Sequence, residues 1–241
     1  MAQLEPRVLA AMSCDTALAD AARGKDLYEG IVTGGAVATR ADAKMALLGA
    51  MYGATTGESG RLVPRLRRAY PAAMALVDDA ARVGEDGGVV STWLGRSSPP
   101  PSEEWARLQS DATEADASAV QQTSARRRAR DRGRFTRNFV VQGTAAEWAL
   151  AWLADLRGRL AEMHPVADAD AAPRSGPVAS HHPHLAFFLH DEVIVHTPAV
   201  HADQVARAVQ DAADAAGRLL FGGFPIDFAL DVRISESAAK D

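Results

Sequence analysis

A chain of 241 residues that is 47% hydrophobic and carries a formal net charge of −5 is long enough to bury a core in one large or two small domains. Its single cysteine, Cys14, excludes an intramolecular disulfide framework and suits a reducing, cytoplasmic setting. No stretch approaches the roughly 20 apolar residues of a membrane span, so no membrane partner is expected, and MAQLEPRVLAAMS lacks the basic and apolar regions of a secretory signal.

Helical spacing of Leu4, Val8, Leu9, Met12 and Leu18 predicts a helix over residues 4–22, stopped by Gly24. Asp26-Leu27-Tyr28 opens a short second segment, which Gly34-Gly35 breaks. A helix over 40–52 ends at Gly53, and another spans 62–83 with Pro71 as a kink or a fresh start. After the turn at residues 85–88, residues 89–94 read as a β run bounded by Gly95. Residues 97–125, rich in Ser, Pro, Glu, Asp and Ala, are expected to be mobile. A long helix is predicted over 126–163, then a flexible excursion over 164–183. Two apolar β runs, 185–189 and 193–196, flank His190-Asp191-Glu192. A helix over 202–220, a Gly222-Gly223 turn and a strand over 226–234 complete an α+β layer.

Three constellations carry chemistry. In FFLHDEVIV, two adjacent carboxylates at the tip of an apolar hairpin suit a hard divalent cation. Read alone, an acidic turn explains that segment equally well. In RADAKMALLGAMYG, the residues Arg40, Lys44, Leu48 and Tyr52 recur at four-residue steps on one helix face. Two neighbouring cations repel, and a multiply charged anion such as a triphosphate reverses that cost, although read alone a solvated basic face explains the segment better. Lysine occurs only at positions 25, 44 and 240, so Lys44 stands out against an arginine-rich background. In GRFTRNFVVQGTAAEWAL, Arg134, Asn138 and Gln142 form a second such stripe, suited to phosphate and minor-groove contacts, although read alone a polar surface stripe on an otherwise buried helix explains it better. Gly143 beside it implies close approach of backbone or ligand.

In order and spacing these segments resemble the family A DNA polymerases over almost the whole chain. LEPRVLAAMSCDTALADAARGKDLYEGI is similar to motif A and the helix behind it, and RADAKMALLGAMYG to motif B. GVVSTWLGR resembles the G-x-V-x-T-x-x-G-R segment, RNFVVQGTAAEW the N-x-x-x-Q-G-T-A-A-D segment with Glu147 in place of Asp, and LHDEVIV motif C. The resemblance implies the fingers helices and antiparallel palm sheet of a right-hand polymerase, N-terminally incomplete. Residues 1–26 would end motif A, 27–96 form fingers, 97–131 a mobile insertion and 132–241 palm.

What the resemblance implies for function is template-directed DNA synthesis in replication or repair, with dNTPs and primer-template DNA as partners and Mg²⁺ as cofactor. The full-length enzyme would be a monomer. Asp191 would hold metal, with Glu192 beside it as a supporting acid. Arg40 and Lys44 would neutralise the triphosphate, Leu48 would stand where the family has phenylalanine, Tyr52 would lie under a base, and Glu5 would exclude a ribose 2′-hydroxyl. Arg134, Asn138, Gln142 and His190 would contact primer and template. Aligning Gln3-Leu4-Glu5-Pro6-Arg7 with Q-I-E-L-R puts Met1 just after the family's first catalytic Asp. The chain alone is therefore expected to be inactive, and the alternative is a non-catalytic DNA-binding relic. An incomplete palm would also leave an unpaired strand edge and exposed apolar surface.

Overall fold

The computed structural model describes residues 3–53, 57–189 and 192–237. The first helical stretch divides in two. Helix α1 (Leu4–Met12) stops where Cys14 enters the left-handed region at φ 50°, and α2 (Thr16–Ala21) restarts on Asp15. A non-glycine residue there ends a helix, which apolar spacing alone does not foresee. Asp15 is buried and caps two helices. One oxygen accepts from Leu18 N at 3.0 Å, the other from Ala73 N at 3.0 Å. The second of these helices is α6 (Pro71–Glu85), so Pro71 is a fresh start, separate from α5 (Gly57–Ala69).

Between them, Asp26 caps α3 (Leu27–Thr33), and α4 (Arg40–Tyr52) runs from a Thr39 cap to Gly53. Gly53 has φ 77°, and a Cβ there would lie 2.7 Å from the Arg134 side chain, so both conformation and space require glycine. Apolar faces of α1–α6 close over one core containing Leu9, Leu18, Leu27, Ile31, Leu47 and Leu66.

Residues 89–94 contribute no strand, only an isolated bridge between Ser91 and Ser97. The stretch expected to be mobile contains α7 (Glu103–Asp111), capped by Ser102. The long helix α8 (Ala119–Ala161) begins seven residues earlier than its apolar pattern predicts, because Ser118 and Gln121 form a reciprocal capping box. A short α9 (Gly176–Ala179) lies within the excursion over 164–183.

Strands β1 (His184–Leu189) and β2 (Glu192–His196) pair antiparallel, with a bulge between Leu185 and Phe187. Helix α10 (Ala202–Phe221) lays Val205, Val209, Ala212, Ala216 and Leu220 against the C-terminal half of α8. The second core gathers there around Trp148, Trp152, Leu156 and Phe228, and α1 supplies Leu4, Val8 and Ala11 to it. Residues 226–234, predicted as a strand, are irregular. A strand needs a hydrogen-bonded neighbour, and among the described residues the sheet ends at two strands. Phe187, Phe188 and Leu189 are 48, 40 and 52% exposed, so apolar side chains of β1 are open to solvent on both of its faces. The architecture is α+β, dominated by helices. No described helix is long and apolar enough to cross a membrane.

Candidate active site

The α4 stripe and the α8 stripe meet at Tyr52. Its hydroxyl donates to Glu5 Oε2 at 2.5 Å, and the Gln142 side chain lies near enough to act on the phenol. Burial and the Glu5 carboxylate push the Tyr52 phenol up to about 12, so it is neutral and a donor at ordinary pH. The two helices are further tied by Arg137, which donates to the Ala50 carbonyl at 2.6 Å and pairs with Asp78 at 2.7 Å. Glu5, Tyr52 and Gln142, apart in sequence, thus form one corner from three helices.

The two cations of α4 differ. Lys44 is exposed and makes no ion pair with a described residue. Arg40 is also exposed, but its Nε lies 2.7 Å from Asp26 Oδ2 and its guanidinium sits 5.5 Å from the Tyr28 ring centre. Burial would raise Asp26, but hydrogen bonds from Arg40 and Gln3 outweigh it and hold this carboxyl below its ordinary value. The ion pair with Asp26 thus partly neutralises Arg40 and engages its Nε. Leu48 is half-buried and packs on the first core. Of the α8 stripe, Arg134 is exposed and paired with Asp131, Asn138 is half-buried, and Gln142 reaches Tyr52. Asp191 and His190 lie outside the described residues. Glu192 opens β2. Among the described residues no group of three or more His, Cys, Asp and Glu side chains is arranged to hold a metal ion.

The close approach expected at Gly143 is real, and its partner is the protein itself. A Cβ there would lie 2.3 Å from Thr92 Cγ2. Residues 92–96 dock on α8 through four contacts. The Thr92 hydroxyl donates to Glu147, Leu94 N to Glu147 Oε2 at 3.0 Å, Trp93 N to Thr144 Oγ1 at 3.0 Å and Arg96 Nη2 to the Gly143 carbonyl at 3.3 Å. Glu147 is therefore an acceptor that holds this segment with both carboxylate oxygens.

Sequence reasoning missed Arg7. It is fully buried and donates to the carbonyls of Ala22 and Asp227 at 2.5 Å and of Gly24 at 2.7 Å. Loss of hydration lowers its pKa, opposed by Asp227 and Asp26. The signal was present, an arginine inside an otherwise apolar run, Pro6 to Met12.

The model for DNA polymerase family A matches residues 1–238. The chain belongs to DNA polymerase family A. Among solved structures, this polymerase chain resembles the POL domain of Pol1 from M. smegmatis in complex with DNA primer-template and dNTP. The TM-score is 0.59 at 17% identity, which shows a shared fold. The match covers 89% of this chain and 35% of that one, so the polymerase chain spans about a third of that neighbour. Comparison with curated proteins finds no match.

Proposed function

We propose that this chain forms the nucleotide-binding fingers and part of the palm in template-directed DNA synthesis. The observation that carries this reading is the corner at Tyr52. There the α4 stripe, with Lys44 exposed and unpaired among the described residues, meets both Glu5 and the α8 stripe. Lys44 supplies positive charge to a dNTP triphosphate. Tyr52 offers its ring to a base while its hydroxyl is anchored. Arg134, Asn138 and Gln142 run along the adjacent helix, where primer and template contact them. The neighbour solved with DNA primer-template and dNTP supports these partners.

The reaction is attack of a primer 3′-oxygen on the α-phosphorus. One P–O bond forms, the bond to the bridging oxygen of the pyrophosphate group breaks, and the hydroxyl proton departs. Mg²⁺ is the cofactor that family membership implies. The described residues do not by themselves make its site, since Asp191 lies outside them. Of the two motif carboxylates that such a reaction uses, the 241 residues contain Asp191 alone. The chain by itself is therefore expected to bind without extending a primer.

The test is fluorescence anisotropy of the chain on a labelled primer-template, with and without the complementary dNTP. The expected result is tighter binding with the dNTP, lost in Lys44→Ala. No dNTP-dependent change, or the same change in Lys44→Ala, would overturn the assignment of the α4 stripe.

A further inference from the structure

Both ends of the α4 stripe are tied back to the start of α1. Tyr52, at the far end, reaches Glu5 directly. Arg40, at the near end, reaches Gln3 through the carboxylate of Asp26. Asp26 Oδ2 accepts from Arg40 Nε at 2.7 Å, while Oδ1 accepts from Gln3 Nε2 at 2.8 Å and from Tyr28 N at 3.0 Å. Gln3 has φ 68°, in the left-handed region, and its Oε1 accepts from Leu27 N at 2.6 Å. A glutamine rests in that conformation only where partners hold it, and the first turn of α3 and its cap supply them. The carboxylate is thus fixed by backbone and by Gln3, and a longer, freer side chain is fastened to it.

Which atom of Arg40 is fastened decides what remains for a ligand. Asp26 takes the Nε–H, and the guanidinium lies over the Tyr28 ring, 5.5 Å from its centre. One hydrogen bond and one face contact together orient a planar group. The terminal nitrogens Nη1 and Nη2 make no hydrogen bond with any described residue, and the side chain is 48% exposed. Their fork is the edge that matches two oxygens of a phosphate. Lys44 follows one helical turn on. An arginine without such a partner loses its rotamer freedom when it meets an anion, whereas here the ordering is complete beforehand. Against this stands the charge of Asp26 itself, which repels a triphosphate. The two effects have opposite signs, so experiment can separate them.

We infer that Asp26 is a positioning residue for nucleotide binding, which holds Arg40 by its Nε so that the terminal fork takes a phosphate of the incoming dNTP. The inference rests on the proposed role of the α4 stripe in binding dNTP. Asp26 touches no nucleotide and acts only through Arg40. Gln3 and the cap of α3 keep the carboxylate in place while it does so.

The test is anisotropy of the full chain on a labelled primer-template, titrated with the complementary dNTP, reading the dNTP concentration that gives half of the tightening. Asp26→Asn and Asp26→Ser both keep a good cap for α3. The first turns an amide toward Arg40 in place of a carboxylate, and the second is too short to reach it. In each the half-point is expected to rise roughly tenfold, the effect of losing one hydrogen bond to a charged group. Arg40→Ala is expected to raise it at least as far. Asp26→Asn/Arg40→Ala is expected to match Arg40→Ala alone, because Asp26 has nothing left to act through. A loss of fold would instead add to the loss from Arg40. A lower half-point in Asp26→Asn would make Asp26 a mere counter-charge and overturn the inference. An unchanged half-point in the Asp26 variants or in Arg40→Ala would overturn it too, as would additive losses in the double variant. If the wild type shows no dNTP effect, or Lys44→Ala retains it, the polymerase reading falls and this inference with it. If Lys44→Ala behaves as expected and the Asp26 variants do not, the role of Asp26 falls alone.

Discussion

The Tyr52 hydroxyl donates a 2.5 Å hydrogen bond to Glu5 Oε2, fastening the last turn of α4 to the first turn of α1. This bond exists only while the phenol keeps its proton. The folded pKa of Tyr52 is about 12 against an ordinary 10.0, so the folded chain holds this proton where the unfolded chain has lost it. Stability from the pair is therefore complete below pH 10, falls as pH rises and is gone above about 12. Urea midpoints measured across that window are expected to decline less steeply in Tyr52→Phe than in the wild type. Tyr28 and Tyr70, also raised by burial, keep part of the slope. Parallel curves would show that the phenol does not carry the effect.

At Gly143 the expected outcome turns on one methyl group. Gly143→Ala gains about 1 kcal/mol of helix propensity, but its Cβ would lie 2.3 Å from Thr92 Cγ2. Overpacking of that kind costs about 1–3 kcal/mol and outweighs the gain. Thr92→Ser removes Cγ2 and retains the hydroxyl that donates to Glu147. Chemical denaturation of Gly143→Ala should show destabilisation that the double variant Gly143→Ala/Thr92→Ser largely reverses. A double variant as weak as the single one would place the clash elsewhere.

Glu147 accepts from Thr92 with one oxygen and from Leu94 N with the other. Glu147→Gln leaves one acceptor oxygen and turns an amide donor toward a second donor. A loss of about 1 kcal/mol is expected. It should be accompanied by faster hydrogen exchange at Leu94, which a general destabilisation would not single out.

Among the described residues Arg7 makes no direct ion pair, only hydrogen bonds to carbonyls, with Asp227 and Asp26 acting on its charge from farther away. Arg7→Met fills similar space and leaves the carbonyls of Ala22, Gly24 and Asp227 without this donor. A loss on the order of 3 kcal/mol is expected, because three desolvated acceptors outweigh the relief of a buried charge. Arg7→Lys keeps the charge, but one ammonium cannot span three carbonyls, so only partial recovery is expected in a thermal melt.

Where local chemistry decides the structure, the sequence is legible. Thr39 and Gly53 bound α4 as their residue types imply, Asp26 caps α3, and the two apolar runs around His190-Asp191-Glu192 pair as strands. What was not legible depends on partners distant in sequence or on backbone conformation. The break at Cys14 is a positive φ that no apolar pattern encodes. The early start of α8 rests on the Ser118–Gln121 capping box inside a polar, alanine-rich stretch that reads as disorder. Residues 226–234 have the composition of a strand and no described neighbour to pair with. At the candidate site, periodicity gave both stripes, but only the fold shows that Arg40 is held by Asp26 and that Gln142 reaches Tyr52. Gly143 was a sound signal of close approach whose partner, Thr92, lies 51 positions away and was invisible.

The contact of Arg7 with the Asp227 carbonyl spans 220 positions, and it puts a clock on biosynthesis. Ribosomes add about 5–20 residues per second, so between roughly 10 and 45 s separate the emergence of these two residues. Through that interval α1 has neither the α8 helix against which it packs, until that is made, nor the last carbonyl its guanidinium requires. Helix α1, made long before residue 227, is thus locked only when that residue arrives. A nascent chain halted before residue 227 should offer α1 to proteases or chaperones that the finished chain no longer admits.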